Sequence, residues 1–320
     1  MQDKKNMIIV SVRCLVYNQK RYIKQCLDGI VMQKTSFPYE AIIHDDASTD
    51  GTAEIIKEYA CKYPNIIKPI LEKENQYSKH DGSIRKIMNQ ACKGKYIAYC
   101  EGDDYWTDPH KLQKQVDIME SDKDVMMVYT GFETVNKEGQ VIYRFDYDYN
   151  MKQSMSGFVL PFFLYRNVAM TVSCMFRKEV FLCNYKKGCN SSLDYLSFLC
   201  AAALGKVAYI NEKTCCYRKV SSSLTNSNKT GIQKEVIRVL DYMTTLYEKG
   251  EIQMSKIQHL KTKLYIVAKG IDLYIKGLGI IYFKTHSLRA NMLLFIFPGL
   301  LLETYHLLKY YYNKMESSHE

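Results

Sequence analysis

EAIIHDDASTDGT, residues 40–52, begins as an apolar run, ends that run on the adjacent carboxylates Asp45 and Asp46, and continues through small polar residues to Asp50 and Gly51. Two neighbouring carboxylates repel each other, so their placement at the end of an apolar run needs a cause. A metal site, a nucleotide pocket or a capped turn would each supply one. The flanks supply the local structure. YEAIIHD, residues 39–45, reads as a buried strand, and GTAEIIKEYACKY, residues 51–63, as a helix that Asp50 caps and Pro64 ends. The stretch is therefore the turn of a strand–turn–helix unit.

Working outward, that unit repeats. MIIVSVRCLVY (residues 7–17) reads as a first strand, and RYIKQCLDGIVMQ (21–33) as a helix with Tyr22, Ile23, Cys26, Leu27, Ile30 and Val31 on one face. NIIKPIL (65–71) reads as an edge strand, because Pro69 has no N–H for a central ladder. DGSIRKIMNQACKG (81–94) reads as a helix closed by Gly94, and KYIAYC (95–100) as a strand leading into the acidic stretch EGDDYW. This alternation is the mark of an α/β fold, a mostly parallel sheet layered with helices. Ligands of such sheets bind beyond the carboxyl ends of the strands, so both acidic clusters are expected to face one crevice.

Beyond residue 125 the pattern mixes. VMMVYTGFETV (125–135) and GQVIYRF (139–145) read as strands, FRKEVFLCNY (176–185) and SLDYLSFLCAAALG (192–205) as helices, and KVAYINEKTCCYRKV (206–220) as two strands around a turn. A Ser/Asn-rich linker at 221–231 then separates a domain over 1–225 from a helical region over 226–320.

With 320 residues, 47% of them hydrophobic, the chain can bury a substantial core, and disorder is excluded. The net charge of +10 favours an acidic partner such as a nucleotide, a phosphorylated lipid or an anionic membrane surface. There is no recognised nucleic-acid module, and nucleic acid is not expected as a partner. Eleven cysteines without a C-x-x-C pair point to reduced thiols packed as small hydrophobes in a cytoplasmic protein. The N-terminal stretch carries Arg13 and no cleavage pattern, so it reads as part of the fold rather than a signal peptide. Pro298 and Gly299 interrupt the longest apolar run, 291–308, short of a membrane span of about 18 residues. With Arg289, Lys309 and Lys314 at its borders, that segment suits either a membrane interface or packing on protein, including a second copy in an oligomer.

The stretch CEGDDYW places Glu101, Asp103 and Asp104 within one turn after a strand. Carboxylate oxygens suit Mg²⁺ or Mn²⁺, and Mg²⁺ is usually held by one or two of them while substrate phosphates complete the shell. A solvated acidic loop is the competing interpretation.

Taken together, VSVRCLVYNQKRYIKQ, IIHDDASTDGT, GKYIAYCEGDDYWTDP and the later Asp194 in SSLDYLSF resemble, in order and spacing, inverting glycosyltransferases of family 2 with the GT-A fold. The resemblance covers about the first 220 residues. It implies a hexosyl or N-acetylhexosaminyl transferase that uses a nucleotide sugar, a UDP-sugar above all. The acceptor it implies is a glycan or lipid-linked oligosaccharide, on the cytoplasmic side and at most peripheral to the cell membrane. For the donor site it implies Tyr17 against the base, Asp46 accepting from base or ribose, Asp45 as the loop's organiser and Arg85 near the nucleotide. It assigns the divalent metal to Asp103 and Asp104, with Glu101 in place of the usual leading Asp, and the catalytic base to Asp194. The segment at 168–181 would border the acceptor, with Thr171 and Ser173 reaching sugar hydroxyls and Trp106 stacking on a ring; a core strand and a packing anchor are the alternatives. Many relatives carry a His shortly after the position of Tyr217 and Arg218. This chain has Lys219, Val220 and Ser221 there, so Lys219 or Arg218 would neutralise the diphosphate instead.

Other readings have clear sequence requirements. A sugar nucleotidyltransferase needs a Gly-rich, basic loop after the first strand, and a nicotinamide dehydrogenase needs G-x-G-x-x-G. In VYNQKRYIKQ there is no glycine before Gly29. A catalytically silent sugar- or membrane-binding protein on the same fold would not need its carboxylates at all of these places.

Overall fold

The computed structural model describes residues 7–79, 81–143, 154–164, 168–182, 194–220 and 229–275. The chain divides into two compact units, Met1–Ser227 and Asn228–Glu320.

The first unit is built on an eight-stranded sheet in the order β3-β2-β1-β4-β7-β6-β8-β5. The strands are β1 (Val10–Val16), β2 (Tyr39–Asp45), β3 (Ile67–Leu71), β4 (Tyr96–Tyr99), β5 (Tyr105–Trp106), β6 (Val125–Val135), β7 (Met175–Arg177) and β8 (Lys206–Arg218). Parallel pairing joins β3, β2, β1 and β4, and β6 to β8; β7 is antiparallel to β4 and β6, and β5 to β8. All of β2 and nearly all of β1 are buried, and the polar residues they carry include a pair bonded between the strands, Ser11 Oγ donating to Glu40 Oε1 at 2.7 Å. Pro69 does lie on an edge strand.

Helices α1 (Ile23–Val31), α2 (Thr52–Lys62), α3 (Ser83–Ala91) and α4 (Lys111–Ser121) follow β1, β2, β3 and β5. On α1 the residues Ile23, Cys26, Leu27 and Ile30 are buried at helical spacing, joining Val10, Val12, Cys14, Ile43, Ala98 and Trp106 in one core. One-turn helices α5 (Leu160–Phe163) and α6 (Glu179–Leu182) precede α7 (Asp194–Leu204). In the second unit α8 (Lys229–Glu248) packs on α9 (Lys256–Ile275), burying Ile237, Leu240 and Met243. The apolar segment at 291–308 and its basic borders lie outside the described residues.

Several sequence expectations are corrected. The residues expected to form two strands at 206–220 form the single strand β8, whose pairing with β6 shifts register around Gly131 and passes over Asn211 and Glu212. The polar stretch that reads as a turn is a bulge. Among the described residues, the expected helix at 176–185 begins instead as β7 and contributes the turn α6, because Phe, Val and Leu suit either structure. Of 139–145, the described residues keep one bridge, Val141 to Val135. Gly94 does not close α3. It lies where β1 and β4 approach each other, and a Cβ there would stand 2.4 Å from Ser11 N. The cap position of α2 is Gly51, at φ +94°, while Asp50 one residue earlier accepts from Thr52 N at 3.0 Å.

Candidate active site

The chain crosses from β1 to β2 on one side and returns to β4 on the other, so the loops after β1, β2 and β4 converge at the sheet's switch point. The main chain holds them together. Val16 O accepts from Asp46 N at 2.9 Å, and Leu15 O accepts from Gly102 N at 3.1 Å. Leu15 N in turn donates to Glu101 Oε2 at 3.1 Å.

The turn at 45–52 is a cluster of side-chain to backbone bonds. Asp45 accepts from the Ser48 hydroxyl and from Ser48 N, while burial raises its carboxyl above the usual carboxylate value. Ser48 Oγ also accepts from Asn18 N at 2.8 Å, and Asn18 Oδ1 accepts from Thr49 N at 2.9 Å. Asn18 and Ala47 both have positive φ, 51° and 63°, so the two turns are shaped to meet. Asp50 Oδ2 accepts from Lys20 N at 3.0 Å, completing the seam.

Asp46 reaches the other way. Its Oδ1 accepts from Gln76 N at 2.6 Å and its Oδ2 from Tyr77 N at 3.0 Å, which fixes the loop after β3. Each carboxylate oxygen has a second lone pair, so these bonds leave capacity for a ligand's N–H or hydroxyl. Tyr17, 51% exposed, stands at the end of β1, and Arg85 lies half-buried on α3. Asn18 and the 75–77 loop escaped the sequence analysis; the Asn of YN and the ENQY stretch were the available signals.

The acidic turn sits deeper. Asp104 is 5% exposed, and its Oδ1 accepts from Arg218 N at 2.7 Å. Desolvation pushes the Asp103 carboxyl up and the Asp104 carboxyl well up, with Asp103 adding to the latter. Glu101 is pushed up to about 8, first by desolvation and then by the charge of Asp194, with Arg13 opposing. Three carboxyl groups without enough positive charge around them suit a hard divalent cation. Among the described residues no three His, Cys, Asp or Glu side chains converge as a complete metal site.

Arg218 closes this turn from beneath. It is 3% exposed and donates from Nε to Asp103 O (2.9 Å), from Nη1 to Asn136 O (3.1 Å) and Lys137 O (3.4 Å), and from Nη2 to Gln25 Oε1 (2.6 Å). Its guanidinium also lies over the rings of Tyr22 and Tyr105. So engaged, it is a clamp on the acidic turn rather than a residue open to a diphosphate. Lys219 is half-buried, its N–H on Val135 O at 2.8 Å.

On the remaining side, Asp194 is exposed at the first residue of α7, where the helix dipole favours a carboxylate. Thr171 Oγ1 donates to Asp194 Oδ2 at 3.0 Å. Trp106 and Ser173 are not open to a sugar. Trp106 is 2% exposed with Nε1 donating to Val172 O at 3.0 Å, and the buried Ser173 hydroxyl donates to Met170 O at 2.7 Å. Both anchor the turn that carries Thr171. His44 is buried against Glu72, and His80 lies outside the described residues.

The chain thus brings together Tyr17, Asp45, Asp46, Glu101, Asp103 and Asp104 around one switch point, with Asp194 close enough to Glu101 to act on its charge. The profile of the family described as Glycosyl transferase family 2 matches residues 11–182. An uncharacterized protein of Mycobacterium tuberculosis is 33% identical over 225 residues, 70% of this chain and 63% of that one. A chondroitin synthase of Escherichia coli is 27% identical over 239 residues, 72% of this chain and 32% of the synthase. The chain therefore spans less than two thirds of either relative. Two solved structures share the fold. TarS of S. aureus in complex with UDP-GlcNAc superposes with a TM-score of 0.59 at 15% identity, over 83% of this chain and 73% of that one. A mannosyltransferase of Pyrobaculum calidifontis in complex with GDP-Man and Mn²⁺ superposes with a TM-score of 0.53 at 18% identity, over 93% and 82%.

Proposed function

The chain belongs to glycosyl transferase family 2, and we propose that it moves a sugar from a UDP-sugar to a hydroxyl of a glycan or lipid-linked acceptor, with inversion, in building a cell-surface polysaccharide. What supports this reading is the exposed carboxylate of Asp194 at the first residue of α7, taken with the family match over residues 11–182. An inverting transfer needs one base on the acceptor side and stabilisation of the departing diphosphate on the other.

In the proposed step the acceptor oxygen bonds to the anomeric carbon as its proton passes to Asp194. The bond from that carbon to the diphosphate breaks, and the nucleoside diphosphate leaves with the electron pair. Tyr17 lies along the uracil, Asp46 accepts from base or ribose, Asp45 holds the turn in shape, and Arg85 stands near the nucleotide. Asp103 and Asp104 are the residues that would hold Mg²⁺ or Mn²⁺, whose chemistry is to neutralise the charge developing on the diphosphate. The ligands bound to the structural relatives, UDP-GlcNAc in one and GDP-Man with Mn²⁺ in the other, support a nucleotide sugar and a metal. The chondroitin synthase supports a polysaccharide product.

The test is UDP release from UDP-GlcNAc in the presence of Mn²⁺, with nucleotide binding measured in parallel. Asp194→Asn is expected to reduce turnover about 10²- to 10⁴-fold, the usual contribution of a general base, with UDP affinity unchanged. Wild-type turnover by this variant would sink the assignment.

A further inference from the structure

The turn formed by Thr171–Ser173 carries more anchoring than a surface turn needs. Trp106 Nε1 donates to Val172 O at 3.0 Å, and Ser173 O accepts from Gln115 Nε2 at 3.0 Å and from Lys111 Nζ at 3.4 Å. Lys111 is fully buried, with Nζ on Gln115 Oε1 at 2.7 Å and 4.7 Å from the centre of the Trp106 ring. Burying an ammonium is costly unless its protons find acceptors, and here one bond goes to Gln115 Oε1 and another to the Ser173 carbonyl of this turn. The turn is closed from within by Ser173 N to Met170 O at 2.8 Å and Cys174 N to Thr171 O at 3.0 Å. Only Thr171 points its hydroxyl away from this platform, to Asp194 Oδ2 at 3.0 Å.

We propose that Thr171 is the positioning residue for Asp194, held in place by the Trp106, Lys111 and Gln115 platform, and that its donated hydrogen bond fixes the plane of the carboxylate that receives the acceptor's proton. The inference rests on the reading of Asp194 as the base. A carboxylate at the first residue of a helix has several rotamers, and proton transfer requires one of them. A hydroxyl carried on a turn tied to α4 and β5 selects that rotamer. The same bond favours the ionised form of Asp194, the form a base must have. Groups coupled electrostatically to Asp194 include Glu101, Tyr99 and Cys174, with Arg13 opposing at Tyr99 and Glu101. None of them is altered by changing Thr171.

The test compares Thr171→Val, which keeps the shape and removes the hydroxyl, with Thr171→Ser, which restores it; Thr171→Ala takes the place of the valine variant if that one fails to fold. The first readout is the carboxyl titration of Asp194 in the full chain, followed by carbon NMR without substrate. Its midpoint is expected to rise by about half to one pH unit in Thr171→Val and to stay with the wild type in Thr171→Ser. The second is UDP release from UDP-GlcNAc with Mn²⁺. Here kcat is expected to fall about tenfold in Thr171→Val with KM within about twofold, and to recover in Thr171→Ser. A valine variant with the wild-type midpoint and wild-type kcat would overturn the positioning role while leaving the base assignment standing. Turnover retained by Asp194→Asn would remove the premise, and the proposal with it.

Discussion

Replacing Arg218 with alanine tests how the acidic turn is held. Four hydrogen bonds leave with the guanidinium, those to Asp103 O, Asn136 O, Lys137 O and Gln25 Oε1. At about 1 kcal/mol net for each buried bond, the loss is roughly 3–4 kcal/mol, in the range of other broken buried networks. The ring faces of Tyr22 and Tyr105 lose their cation as well. For a domain of about 150–250 residues, 1 kcal/mol moves Tm by roughly 2–4 °C, so the midpoint is expected to drop by roughly 6–16 °C. Arg218→Lys keeps the charge but not the fork, and is expected to recover less than half of the loss. Differential scanning calorimetry reads both variants. An alanine variant melting within about 2 °C of the wild type would refute the reasoning, because a buried guanidinium with these partners cannot be thermodynamically idle.

Three further outcomes follow from the same geometry. Gly94→Ala sets a Cβ 2.4 Å from Ser11 N between β1 and β4, and the backbone shift it forces is expected to destabilise the fold by about 2–4 kcal/mol in urea titrations. Burial works to raise Asp108, but bonds from Lys114 Nζ and His110 N outweigh it and hold the carboxyl below its ordinary value. A depressed carboxylate contributes stability above its unfolded pKa of about 3.9 and loses it as pH falls through the folded value, so the Tm gap between wild type and Asp108→Asn should be constant from pH 7 to about 4 and close below that. Asp46→Ala removes the acceptor of Gln76 N and Tyr77 N; faster amide hydrogen exchange at these two residues is expected, and unchanged protection would contradict the latch.

Much of the sheet was legible because its strands are short, mostly apolar runs set off by polar turns. YEAIIHD and VMMVYTGFETV coincide with β2 and β6 residue for residue. The bulge at Asn211 and Glu212 was not legible, since a polar interruption in an apolar run has the composition of a turn until the partner strand is known. Gly94 was misassigned for a similar reason: its role is set by Ser11, 83 residues away, and no local pattern reports that. In the site, the acidic residues were legible as strand-end clusters. Their supports were not, because Arg218 meets Gln25 across 193 positions, Asp46 meets Tyr77 across 31, and Asp194 meets Thr171 across 23. Trp106 looked available because aromatic rings suit sugars, and only the packing shows that it is covered.

If one crevice takes a nucleotide sugar with the help of the acidic turn, isothermal titration of UDP with and without Mn²⁺ will show it. Binding by the wild type is expected to strengthen at least tenfold with Mn²⁺, and Asp104→Ala to lose that metal-dependent gain. Absence of metal-dependent binding to UDP, and likewise to GDP and dTDP, would contradict it.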